Sequence, residues 1–232
     1  MRRPQDNPGN AIRTAAPLPS RAYSGYAVPI MAPNDQNAIP DVTPLALFGE
    51  WFAAARMAEP NDPEAAALAS ATPGGAPSVR MVLLKDWGPN GFVFYTNAHS
   101  RKGRELLANP QAAVLFHWKS LRRQIRIEGT VEEVAPAIAD AYFASRSRSS
   151  QVGAVASDQS AQLATRADFL ARIAETETRY TDQPVPRPVH WTGFRLVPVA
   201  IEFWLDRPAR LHERRRFVRA VNGGWTSSLL YP

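Results

Sequence analysis

Val79-Arg80-Met81-Val82-Leu83-Leu84-Lys85, Gly88-Pro89-Asn90-Gly91 and Phe92-Val93-Phe94-Tyr95-Thr96 follow one another along the chain. Two runs rich in β-branched, aliphatic and aromatic residues, separated by Gly and Pro, predict successive strands of an antiparallel meander. Upstream, Ala65 to Ala71 reads as a strand closed by the turn Pro73-Gly74-Gly75. Downstream, strands are expected at Ala112 to Trp118, Gln124 to Val134, Gly193 to Leu205, Arg210 to Val221 and Trp225 to Leu230, the last two joined by Asn222-Gly223-Gly224.

Helices are expected only in the connections. Leu45, Leu47, Phe48, Trp51, Phe52 and Ala55 recur at helical spacing behind Pro44, which predicts a helix to about Met57. Others are read at Ser100 to Asn109, Pro136 to about Ser147 and Ser160 to Tyr180. Many short strands with connecting helices predict a mainly β, α+β chain built as a small antiparallel barrel rather than an alternating βαβ sheet. Residues 1–40 hold Pro4, Pro8, Pro17, Pro19, Pro29, Pro33 and Pro40 with few aromatics, and are expected to be a Pro-rich tail before a folded domain at 41–232.

The 232 residues are 45% hydrophobic and 21% charged, a globular balance. Cysteine is absent, which excludes disulfides, thiolate nucleophiles, zinc ribbons and iron–sulfur ligation. No apolar run approaches the roughly 18 residues of a membrane span, and Met1-Arg2-Arg3-Pro4 lacks a secretory core, so a soluble, cytoplasmic protein is expected. Nucleotide-loop, zinc-protease and nucleophile-elbow motifs are missing, and His99, His117, His190 and His212 show no metal-ligand spacing. Such a chain, if an enzyme, leaves the hard chemistry to a cofactor.

The net charge of +6 is unevenly placed. Arg101, Lys102, Arg104, Lys119, Arg122, Arg123 and Arg126 face one acid, Glu105, in the same stretch; Arg207, Arg210, Arg214, Arg215, Arg216 and Arg219 face Glu213. A nucleic-acid surface, pockets for phosphorylated ligands and a solvated basic face all fit this pattern. Cations in the first turn after Ser100 oppose the helix dipole unless an anion binds there. Tyr142, Arg146 and Ser150 share one face if their helix persists, as a phosphate cradle or as a surface Arg beside a half-buried Tyr. Arg210 and His212 share one strand face if that strand forms, and suit an anionic or proton-exchanging substrate.

An ordered series now stands out: Arg80-Met81-Val82-Leu83-Leu84-Lys85, Phe94-Tyr95-Thr96-Asn97, Ser100-Arg101-Lys102, Arg123-Gln124, Tyr142-Phe143-x-Ser145-Arg146, Ser150-Gln151-x-Gly153, Gln159-Ser160, Glu202-Phe203-Trp204 and Arg210-Leu211-His212. It resembles the motif series of the pyridoxine/pyridoxamine 5′-phosphate oxidase family from about Pro44 to Pro232. The resemblance implies an FMN-binding split β-barrel and a homodimer with FMN at the interface. It implies oxidation of pyridoxamine or pyridoxine 5′-phosphate to pyridoxal 5′-phosphate by O2, with release of H2O2. By similarity, Arg80, Met81, Val82, Leu83, Leu84, Lys85, Tyr95, Thr96, Arg101, Lys102 and Gln124 hold FMN from one subunit, and Gln159, Ser160, Trp204 and Arg214 complete its site. Lys85, Tyr142, Arg146, Ser150, Arg210, Leu211 and His212 hold the substrate, with Arg210 and His212 as the catalytic pair; no metal is implied. The chain departs from the family pattern at Trp191-Thr192-Gly193, at Arg148-Ser149-Ser150-Gln151 and at Leu229-Leu230-Tyr231-Pro232. The alternatives are a split-barrel flavin oxidase of the phenazine-biosynthesis type, a basic nucleic-acid-binding module, and a catalytically silent FMN or pyridoxal-phosphate carrier.

Overall fold

The structure is a computed structural model that describes residues 38–232. The expected tail at 1–40 lies outside the described residues except for its last three positions, and there Ile39 is 1% exposed. In chain order the elements are α1 (Pro44–Ala58), β1 (Ala65–Ala71), β2 (Pro77–Leu83), β3 (Asp86–Gly88), β4 (Gly91–Asn97), α2 (Arg101–Ala108), β5 (Gln111–Trp118), β6 (Arg123–Glu133), α3 (Pro136–Ser145), α4 (Arg148–Ala156), α5 (Arg166–Arg179), β7 (Trp191–Leu205), β8 (Glu213–Arg219) and β9 (Trp225–Leu230).

All strand pairs are antiparallel, in the order β2-β1-β5-β6-β7-β4-β3, with β8 and β9 added beside the second half of β7. Lys85, just past β2, donates its backbone N–H to Val93 O of β4 at 2.8 Å, so the β2 edge returns to the far side of the sheet. The sheet therefore curls towards a barrel. Strand β7 serves two neighbours because it bends where its Val199 is left unpaired, with Glu128 opposite Ala200 and Gly129 opposite Pro198. A side chain at 129 would stand 2.0 Å from Val197 O, so only glycine fits this bulge.

Helix α1 plugs the barrel. Its buried face of Leu47, Phe48, Trp51 and Ala55 meets the sheet, with the Phe48 ring edge-on to Phe92 and Trp87 at 4.9 Å each and Trp51 edge-on to Phe203 at 5.2 Å. Among the described residues, helices α3 and α4 cover the other sheet face only at β4 and the start of β7, and the rest of it carries exposed side chains. Strand registers place Met81, Ala67, Leu115, Arg126, Glu202 and Arg216 in one row across it, and Met81 is 62% exposed.

Three expected elements need correction. The helix from Pro136 ends at Ser145; Arg146 turns extended, and Ser147 caps a new helix, α4, by accepting from Ser150 N–H. The helix expected from Ser160 starts at Arg166, where Thr165 and Asp168 form a reciprocal capping box. The strand expected from Arg210 starts at Glu213, because Ala209 and Arg210 adopt φ of 53° and 60° in a short turn that no strand accommodates. The short strand β3 was not foreseen.

Glu105 fixes α2 against the β1–β2 hairpin. Its Oε2 accepts from Ser70, Ser78 and Arg80, and its Oε1 from Arg101 Nε at 2.9 Å. Burial would raise its pKa, but hydrogen bonds from Ser70, Ser78, Arg101 and Arg80 outweigh this and hold it at about 2 instead of 4.5. A carboxyl whose folded pKa is depressed stabilises the fold above its unfolded pKa and loses that contribution as pH falls through the folded value. Glu105→Gln is therefore expected to lower the urea midpoint at pH 7, with the gap to wild type closing as pH falls from about 5 to about 2 at fixed protein concentration. A gap that stays constant with pH contradicts this assignment.

Candidate active site

A cleft of about 450 Å³ opens between β4, the start of β7 and helices α3 and α4. That volume suits a small organic ligand. Leu83, Lys85, Tyr95, Thr96, Tyr142, Arg146, Ser150 and Gln159 line it, together with Asn97, Gly153, Ala154, Ser157 and Trp191. Although the helix breaks between Arg146 and Ser150, the Ser147 cap turns α4 so that Tyr142, Arg146 and Ser150 still meet in one cavity.

One wall is aromatic. Tyr95 stacks on Tyr142 at 3.9 Å between centroids and on Trp191 at 5.3 Å. Gly193 permits this, since a side chain there would meet the Tyr95 ring at 2.7 Å. The Arg146 guanidinium lies 4.9 Å from the Trp191 ring, a cation–π contact. Its Nη1 is buried without a hydrogen-bond partner. Burial pulls the Arg146 pKa below the ordinary guanidinium value, with Tyr142 opposing. A buried donor left unmatched by protein fits an anionic group supplied by a ligand.

A second cation contacts two of the lining residues. Lys102, 9% exposed, donates to Thr96 Oγ1 at 3.0 Å and to Gln159 Oε1 at 3.2 Å, and Thr96 donates to Gln159 Oε1 at 3.1 Å. Burial lowers the Lys102 pKa and the nearby Arg80 charge lowers it further, so an anion here relieves both effects. Arg80 and Arg101 surround the same helix start through Glu105. Ser100 caps that helix by accepting from Gly103 N–H at 3.2 Å. Met81 points to the uncovered part of the sheet, Leu84 is buried in the core, and Val82 packs partly against it. Ser160 is exposed, with φ of 73°.

The remaining expected residues lie elsewhere in the chain. Gln124, Trp204 and Arg214 line a separate concavity on the uncovered part of the sheet with Leu115, Arg126, Glu202 and Pro232. Trp204 faces away from the fully buried Ile201 and Phe203, as strand alternation requires. His212 sits beside it, ring centroids 4.7 Å apart, while Arg210 and Leu211 are exposed. The grouping read from sequence is thus altered: Gln159 belongs with Thr96 and Lys102, and Gln124 with Trp204 and Arg214.

Much of the second basic run is neutralised internally. Arg214 pairs with Glu202 at 2.8 Å, Arg215 with Asp41 at 3.3 Å and Arg216 with Glu128 at 3.1 Å. These carboxylates come from distant segments, which is why the run looked unopposed in sequence. The sequence reading also missed the structural roles of Trp191 and Asn97. Trp191 was visible only as part of a departing motif, and Asn97, which accepts from His99 N–H at 2.7 Å, gave no signal beyond its place in Tyr95-Thr96-Asn97. No helix among the described residues is long and apolar enough to cross a membrane.

Comparison with known proteins agrees with this geometry. Residues 53–180 match the family model described as pyridoxamine 5′-phosphate oxidase, and residues 191–232 match that of the pyridoxine 5′-phosphate oxidase C-terminal dimerisation region. The chain is 63% identical over 196 residues to the pyridoxine/pyridoxamine 5′-phosphate oxidase of Novosphingobium aromaticivorans, covering 84% of this chain and 97% of that one. It is 60% identical over 206 residues to the Erythrobacter litoralis protein of the same description, covering 88% and 97%. Among solved structures, PhzG from Burkholderia lata, in complex with tetrahydrophenazine-1-carboxylic acid, superposes with a TM-score of 0.79 at 33% identity, covering 89% of this chain and all of that one. An FMN-binding protein from Nostoc punctiforme shares the split-barrel fold with a TM-score of 0.66 at 16% identity, covering 83% and 99%. With these matches spanning both the cleft and the late strands, the chain belongs to the pyridoxine/pyridoxamine 5′-phosphate oxidase family.

Proposed function

We propose that the protein oxidises pyridoxamine or pyridoxine 5′-phosphate to pyridoxal 5′-phosphate with FMN and O2, releasing H2O2. The observation that carries this reading is the cleft in which Arg146 Nη1 is buried unmatched between the Tyr142 and Ser150 side. A guanidinium in a cleft that two hydroxyl-bearing side chains also line is chemistry for a phosphate, which favours a phosphorylated substrate over the ring carboxylate of a phenazine precursor.

FMN supplies the two-electron acceptor that amine or alcohol oxidation needs. The chain's task is placement and charge. Lys102, Arg101, Thr96 and Gln159 suit the cofactor phosphate, while Arg146, Tyr142, Ser150 and Lys85 suit the substrate phosphate. Anchoring the substrate by its remote end fixes the reacting carbon and excludes unproductive poses. His212 takes the proton that leaves with oxidation, and Arg210 holds the substrate's ring side.

Within one chain, the cleft and the Gln124–Trp204–Arg214 concavity share no lining residue. The reading therefore places the working site between two protomers: the cleft of one faces the sheet-face residues and the 210–212 turn of the other. The uncovered apolar row at Met81 and Leu115 supports a homodimer.

Purified protein is expected to be yellow, to form pyridoxal phosphate from pyridoxamine or pyridoxine 5′-phosphate, and to consume O2. A colourless protein, or a yellow one that forms no aldehyde, contradicts the reading. Arg146→Ala is expected to raise KM by roughly 10- to 100-fold with little change in kcat, the signature of lost uniform binding to a remote phosphate. Loss confined to kcat removes Arg146 from the phosphate cradle.

A further inference from the structure

The segment between α5 and β7 carries three alternating prolines, Pro184, Pro186 and Pro188, with Val185 and Arg187 between them. Proline fixes its own φ and restricts the residue before it to extended backbone, so this stretch is stiff without belonging to the sheet. Val185 seats it in the small core formed with Phe143 of α3, Val152 of α4 and Trp191 of β7. Arg187, its side chain 16% exposed, then reaches in two directions. Its Nε donates to Asp140 Oδ1 of α3 at 2.6 Å, and its Nη1 donates to the Trp191 carbonyl at 2.6 Å. One guanidinium thus ties α3 to the first residue of β7.

Those two elements build the wall on which Arg146 rests. The Trp191 ring carries the Arg146 guanidinium at 4.9 Å and receives the edge of Phe143 at 5.0 Å. A cation over an aromatic face is attracted without being aimed, so the direction of the guanidinium depends on how ring and helix stand to each other. Helix α3 has no side-chain cap at Ala135, and its last turn is held from α4, where Gln151 Nε2 donates to Phe143 O at 2.9 Å and Ala144 O at 3.3 Å. Arg187 holds the middle of the helix. It is not among the residues that line the cleft, so it acts through those it ties. Asp140 is 60% exposed, and an ion pair with one end in water contributes little to folding. Such a pair suits the fixing of a spacing more than the holding of a fold.

We infer that Arg187 is a positioning residue for substrate binding: by holding α3 at a fixed distance from Trp191, it presets the Arg146 guanidinium for the substrate phosphate. The inference rests on the reading of Arg146 as the phosphate anchor. A donor already in place loses little freedom when the ligand arrives, which favours binding without any new contact. The phosphate is remote from the reacting carbon, so releasing the tie weakens ground and transition states alike.

Equilibrium dialysis and kinetics on the FMN-loaded protein test it. The binding probe is 4-deoxypyridoxine 5′-phosphate, whose 4-methyl group carries neither the amine nor the alcohol that is oxidised. Arg187→Gln is expected to weaken its binding roughly three- to tenfold and to raise KM for pyridoxamine 5′-phosphate by the same factor, with kcat and bound FMN changed less than about twofold. In an Arg146→Ala background, Arg187→Gln is expected to change either constant less than about twofold, since the tie acts through Arg146. Unchanged binding in Arg187→Gln, a loss confined to kcat, or a full multiplicative loss on top of Arg146→Ala overturns the inference. If Arg187→Gln does not fold, Asp140→Ala removes the same tie from its exposed end and is held to the same outcomes. Probe binding undiminished in Arg146→Ala removes the anchor, and the inference with it. A wild type that forms no aldehyde refutes the functional reading alone, and the dialysis comparison still decides the role of Arg187.

Discussion

An antiparallel sheet of nine strands has two faces, and the described chain covers one with helix α1 and the other only at β4 and the start of β7, where α3 and α4 pack. Helix α1 covers the inner face with Leu47, Phe48 and Trp51, while the outer face presents Met81, Leu83, Leu115 and Val218 among charged neighbours. Exposed apolar side chains in registered rows carry a continuing cost in water, and a second copy removes it. On that same outer face lie Gln124, Trp204 and Arg214, which are of no evident use to a monomer. The unsatisfied sheet face thus shapes both assembly and site.

The cations follow a second logic. Of the basic residues that crowd the sequence, Arg80 and Arg101 converge on Glu105, Arg122 on Asp206, and Arg214, Arg215 and Arg216 on carboxylates from other segments. Those pairs organise the scaffold. Lys102 and Arg146 differ, because Lys102 meets only neutral oxygens and Arg146 Nη1 has no hydrogen-bond partner. A buried lysine and a half-buried arginine, both held apart from carboxylates, mark the positions where phosphate is most valuable.

The strands were legible because their alternation and punctuation are local: β1, β5, β6 and β9 fall within about two residues of expectation. Helix α4 was not, because Ser147 reads equally well as the last residue of one helix and the cap of the next. The turn at 206–212 was hidden for a different reason. Nothing in Arg207-Pro208-Ala209-Arg210 requires left-handed backbone; contacts to Arg122 and between Asp206 and His212 impose it. The motif series named most of the residues that meet in the cleft, yet it could not say which sheet face each occupies. Gln124 and Gln159 consequently exchange sides.

The central claim is that each working site combines the cleft of one protomer with the β7–β8 turn of another. Hybrid dimers test it most directly. Arg146→Ala and His212→Ala chains, each poorly active at low substrate, are co-refolded in equal amounts and assayed at that substrate level. If the residues serve a shared site from opposite protomers, half the dimers are hybrids with one intact site each, and roughly a quarter of wild-type turnover returns. If turnover stays at the level of the parents, both residues act within one chain, and the account of a site divided between protomers is wrong.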